Sequence, residues 1–167
     1  MVIRKGYTLM EMMVVVGIMG IVVLSAPKLF TGVYRFTQLA IARAEIQKNA
    51  RGAISNINRG LRQAQADSIV IDQLSGMPPH SRITFTRYKP DGSTETVSYY
   101  QNGKILYISS GGAGGKKAAD NLRYIAFTYP KTDAAYILSI SLTFEKATYE
   151  GGAKALQMAV EKVRIMN

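Results

Sequence analysis

The chain has 167 residues, 47% of them hydrophobic, enough for one modest domain plus an anchoring segment and too few for two full cores. It contains no cysteine, which excludes a disulfide framework, a thiolate metal site and a cysteine nucleophile. Its formal charge of +10, from 21 Lys and Arg against 11 Asp and Glu, favours anionic partners such as nucleic acid, lipid headgroups or acidic neighbouring chains.

At the N-terminus Arg4 and Lys5 stand directly before Gly6, and a run from Leu9 to Ala26 follows that is apolar except for Glu11 and Ser25. That is about the length a helix needs to cross a bilayer. The two cations are expected to hold the short N-terminus in the cytoplasm, leaving the rest of the chain on the far side. An ordinary secretory signal fits poorly, because its small-residue cleavage site follows the apolar region whereas Gly6 precedes it. Glu11 is costly inside such a run and calls for a partner. If the chain is cut between Gly6 and Tyr7, the new α-amine of Tyr7 lies one helical turn from Glu11 and neutralises it, as does the amine of a neighbouring subunit.

Gly6 followed by Tyr7-Thr8-Leu9-Met10-Glu11 and an unbroken apolar helix resembles the prepilin cleavage and methylation motif of type IV pilins and type II secretion pseudopilins. The resemblance implies that a prepilin peptidase cuts after Gly6 and methylates Tyr7, and that Glu11 guides assembly with other pilin or pseudopilin subunits. It also implies a single-pass anchor among inner-membrane lipids before assembly into a filament. Pro27 falls near where many such helices carry a kinking proline and is expected to bend or locally open the helix.

From Lys28 to about Asp67 the pattern reads as an amphipathic stem helix. Phe36, Leu39, Ile46, Ala50, Ile54, Ile57, Leu61 and Ala64 fall on one stripe, with Lys48, Arg51, Asn56, Arg59, Arg62 and Gln63 opposite. Gly52 and Gly60 lower helix propensity, and either close approach or local flexibility explains them. The divisions expected are a leader over 1–6, an anchor helix over 7–27, the stem over 28–67 and a β-rich head over 68–167.

Past Ser75-Gly-Met-Pro-Pro79 the period becomes two. Strands are expected over 82–88 and 96–100, joined by the turn Pro90-Asp-Gly-Ser93, and a third over 104–108 after Asn102-Gly103. Gly111 to Lys117 reads as a flexible linker, since it lacks P-loop spacing. Further strands are expected over 122–129, 136–144 and 156–165, the last with a bulge where the alternation of Leu156, Met158 and Val160 changes phase before Val163. A helix competes for that final segment.

The layout predicted is α+β and pilin-like, with a long N-terminal helix on an antiparallel sheet domain. Short words in the body, among them Asn49-Ala-Arg51, Asp91-Gly-Ser-Thr-Glu-Thr-Val97, Ala119-Asp-Asn-Leu122 and Val163-Arg-Ile-Met-Asn167, resemble PilW-like minor pilins and J-type minor pseudopilins. That likeness implies a low-abundance subunit that helps start assembly at the filament tip.

No catalytic constellation, metal set or cofactor motif stands out, and the chain reads as a structural protein, not an enzyme. His80 is the only histidine and has no nucleophile beside it except serines such as Ser75 and Ser81. Asp67, Asp72, Asp91, Asp120 and Asp133 are scattered, which leaves a structural calcium near Asp120 or Asp133 as a weaker alternative. Arg51, Arg59 and Arg62 make the one basic stripe at helical spacing. With ten tyrosines they support a second reading, a pilus-displayed module that binds DNA for uptake.

Overall fold

The structure is a computed structural model and describes residues 6–130, 136–148 and 152–165. The chain divides into two compact units after Gln38. One helix, α1 (Leu9–Arg62), contributes to both, and each unit is described by itself.

In the first unit α1 is built from Met, Val, Ile and Leu and is assigned without interruption through Pro27. The Thr31 hydroxyl donates to the Pro27 carbonyl at 2.9 Å. Its large apolar side chains are exposed from Leu9 to Phe36, and none of its most apolar window is buried. It is thus long and apolar enough to cross a membrane, and it differs from the core helix of a soluble domain, which buries one face.

In the second unit α1 buries Ala42, Ile46, Ala50, Ala53, Ile57, Gly60 and Leu61, which recur at helical spacing. Phe36, expected on this stripe, stays exposed in the first unit, and Leu39 and Ile54 are partly buried. The helix ends at Arg62, short of the expected Asp67. The chain leaves it there because the Gln65 N–H donates to Thr86 of a strand and Ala64 bridges to Arg87. Gly60 sits where a Cβ would come within 2.9 Å of the Tyr99 hydroxyl, so close approach explains it, while Gly52 faces open space.

Two antiparallel sheets pack with this part of the helix around one core. The first has five strands in chain order: β1 (Val70–Asp72), β2 (Arg82–Tyr88), β3 (Thr94–Asn102), β4 (Ile105–Ser110) and β5 (Lys116–Ala119). Alternation sends Ile83, Phe85, Val97, Tyr99 and Leu106 into the core. The β2–β3 turn closes with Gly92 at φ 80° and with Asp91 accepting from the Ser93 N–H at 2.9 Å. Gly103 takes φ 60° in the Asn102-Gly103 turn. Two strands were not expected. β1 is short, and β5 takes Lys116 and Lys117 out of the presumed linker by pairing them with Ile108 and Tyr107.

The second sheet holds β6 (Leu122–Thr128), β7 (Ile137–Lys146) and β8 (Ala155–Arg164), in that order. The edge of β6 is met by Gln101 of β3 and by loop residues next to the first sheet: the Phe127 N–H donates to His80 at 3.0 Å, the Leu122 N–H to Lys104 at 2.9 Å, and the Ile125 N–H to buried Gln101 Oε1 at 3.2 Å. The final segment is a strand, and the expected bulge is absent because β8 pairs with β7 in unbroken register from Ala155 to Arg164. The register shift falls instead in β6, between Leu122 and Tyr124. Leu156, Met158 and Val160 face outward at 54%, 63% and 59% exposure, and the inward set is Ala155, Gln157, Ala159, Glu161 and Val163. Small and polar residues suit that inner side because it faces a groove beside α1 as well as the core. The observed architecture is the α+β, pilin-like one expected.

Candidate functional site

Gly6, Tyr7 and Thr8 precede the first helical residue, and all three are exposed. Among the described residues nothing lies within 4 Å of a Cβ placed on Gly6. Thr8 is the helix N-cap. Its N–H donates to Glu11 Oε2 at 2.9 Å, its hydroxyl donates to the same oxygen at 3.1 Å, and the Glu11 N–H donates back to the Thr8 hydroxyl at 3.2 Å. This is a reciprocal capping box, and the spacing Thr8-x-x-Glu11 would have announced it in the sequence. Both bonds use one carboxylate oxygen, so Glu11 Oε1 carries no hydrogen bond among the described residues. Tyr7 and Glu11 line one shallow hollow with Met10, Val14 and Val15. Arg4 and Lys5, expected to orient the anchor, lie outside the described residues.

In the second unit the three arginines of the basic stripe come together. Arg51, Arg59 and Arg62 line a groove of about 700 Å³ between α1 and β8, whose floor includes Ala50, Ile54 and Ala159 and whose far wall carries Gln157 and Glu161. Among the described residues no ion pair involves any of these arginines or Glu161. Asn58 also lines the groove, and among the described residues no protein donor reaches its side-chain oxygen. Sequence reading identified the arginines but missed Gln157 and Glu161, since only folding brings β8 beside the helix.

The remaining candidates do not assemble. His80 is an exposed loop residue in the left-handed region at φ 58°, while the neighbouring Ser81 is buried with its hydroxyl unpartnered. Asp120 pairs with Lys117 at 2.6 Å and Asp72 with Arg82, which places both carboxylates in ion pairs. Among the described residues no group of three metal-ligating side chains occurs, and Asp133 lies outside them. Tyr99 reaches the helix: its hydroxyl donates to Asn56 Oδ1 at 2.9 Å, and burial pushes its pKa up to about 12.

No curated protein and no solved structure matches the chain. Residues 1–27 match the prokaryotic N-terminal methylation motif. The matched stretch contains Gly6 and Tyr7, the capping box and most of the exposed apolar helix. The chain therefore carries a prepilin methylation motif ahead of an α+β, pilin-like body, which supports a subunit of the type IV pilin and pseudopilin class.

Proposed function

We propose that the chain is a minor type IV pilin or pseudopilin, cut after Gly6, methylated at Tyr7 and drawn into a filament or tip complex through Glu11. The observation that carries this reading is a carboxylate in the first turn of an exposed apolar helix, with one oxygen capped by Thr8 and the other open. An unpartnered carboxylate in a bilayer costs a few kcal/mol, so a cationic partner for Glu11 is strongly favoured. The mature Tyr7 ammonium, or that of a neighbouring subunit, supplies it. Prepilin peptidase is the processing partner, and the head lies outside the cytoplasmic membrane before assembly. The likeness to PilW-like and J-type subunits in the body words favours a role in starting the filament at its tip.

Mass spectrometry of the assembled protein tests the cut. A chain beginning with N-methyl-Tyr7 is the expected result, and an intact Met1 in filament material rejects it. Two variants separate capping from assembly. Glu11→Gln keeps an acceptor for the Thr8 N–H but loses the charge, and Glu11→Leu loses both. Both should insert in the membrane normally and enter filaments poorly. Normal incorporation of the Gln variant would leave Glu11 only its cap.

A further inference from the structure

We propose that β8 is a docking edge that takes up an extended segment of a partner protein as a fourth strand of the second sheet, and that this segment alternates acidic and apolar residues. The free edges of the first sheet are managed: β1 has 3 residues, and β5 has 4 and carries Lys116 and Lys117. The β6 edge is met by His80, Lys104 and Gln101. By contrast β8 runs for 10 residues without proline or register shift, and among the described residues no strand pairs with its far side. A long, unpaired edge without a bulge is a template for strand addition.

The two faces of β8 dictate what the added strand must carry. Inward side chains of an added strand enter the groove, where Arg51, Arg59 and Arg62 outnumber Glu161 and lack ion partners among the described residues. They are therefore acidic. Outward side chains extend the exposed stripe of Leu156, Met158 and Val160 and are therefore apolar. Beyond Val160 the outer face becomes cationic with Lys162 and Arg164, so the outward series ends in an acid. Backbone pairing supplies affinity, and this alternation supplies specificity. The apolar stripe and the basic groove, which have no common purpose on an ordinary surface strand, share one occupant.

The test uses the full chain in neutral detergent micelles and a fluorescein-labelled peptide of about eight residues alternating valine and glutamate, followed by anisotropy. Saturable binding is expected, and a valine–lysine peptide should not bind. Methylating alternate backbone nitrogens distinguishes edge pairing from simple charge attraction. One of the two alternate sets should abolish binding and the other should leave it unchanged, because only every second amide of an added strand faces β8. The exposed-surface variant Arg51→Gln/Arg59→Gln/Arg62→Gln should weaken the acidic peptide by about tenfold and flatten its salt dependence. The proposal is overturned if the lysine peptide binds as well. It is equally overturned if both methylated sets behave alike, or if duplex DNA displaces the peptide and binds more tightly through the same arginines.

Discussion

Replacing Gly60 with alanine sets two opposed effects against each other. Helix propensity alone favours alanine over glycine by ~1 kcal/mol. At this position the new methyl would lie 2.9 Å from the Tyr99 hydroxyl, 3.2 Å from the Phe85 ring and 3.3 Å from the Tyr99 ring. Both rings are fully buried and stacked with centroids 6.1 Å apart, so neither moves without disturbing the core. Overpacking of this kind costs about 1–3 kcal/mol. Displacing the Tyr99 hydroxyl from Asn56 adds about 1 kcal/mol or more. The balance is a loss of about 1–3 kcal/mol for Gly60→Ala. Gly52 has no atom within 4 Å of its notional Cβ, so Gly52→Ala should stabilise by up to ~1 kcal/mol. Urea unfolding in micelles, followed by near-UV circular dichroism, measures both. In the Gly60→Ala background Tyr99→Phe should cost less than in the parent, because it removes the clashing oxygen. A Gly60→Ala variant as stable as the parent, or the same sign for both glycines, would refute the argument.

Two further predictions concern pH. The Tyr99 phenol, raised to about 12 by burial, favours the folded state fully below the ordinary value of 10.0, and that contribution is lost as pH rises from there through about 12. Spectrophotometric titration should show a late-ionising component that Tyr99→Phe removes, and the same variant should flatten the alkaline fall in stability. Glu95 accepts from the Ser110 hydroxyl and from Arg87, at 3.0 Å for the latter, and these bonds hold its pKa below the ordinary 4.5. Its contribution is present above that value and disappears as pH falls through the lower, folded one. Glu95→Gln should therefore reduce the acid dependence of unfolding, and an unchanged acid limb would remove Glu95 from the account.

Short-range physics made much of this protein legible before folding. The apolar run with its lone acid, the helical stripe from Ile46 to Leu61 and the period-two strands over 82–88, 122–128 and 137–146 each follow from side chains a few residues apart. The capping box at Thr8 and Glu11 was equally local and could have been read. β1 and β5 escaped because strands of three and four residues carry too few alternations to stand out.

Glu161 and Gln157 escaped for a different reason, since nothing in their own segment says that a helix lies beside them. β8 shows the limit most clearly. The alternation of its large residues Leu156, Met158 and Val160 suggested a bulge before Val163, whereas the unbroken register with β7 turns them outward and leaves small and polar residues within. What the sequence determined by itself was the N-terminal segment, because a methylation motif and an apolar helix depend on local order and on solvent. Only the tertiary structure decided which face of β8 is buried, that Arg51, Arg59 and Arg62 share a groove, and that Gly60 is a contact. Each of those depends on a neighbour distant in sequence, and burial in a packed core is a property of pairs.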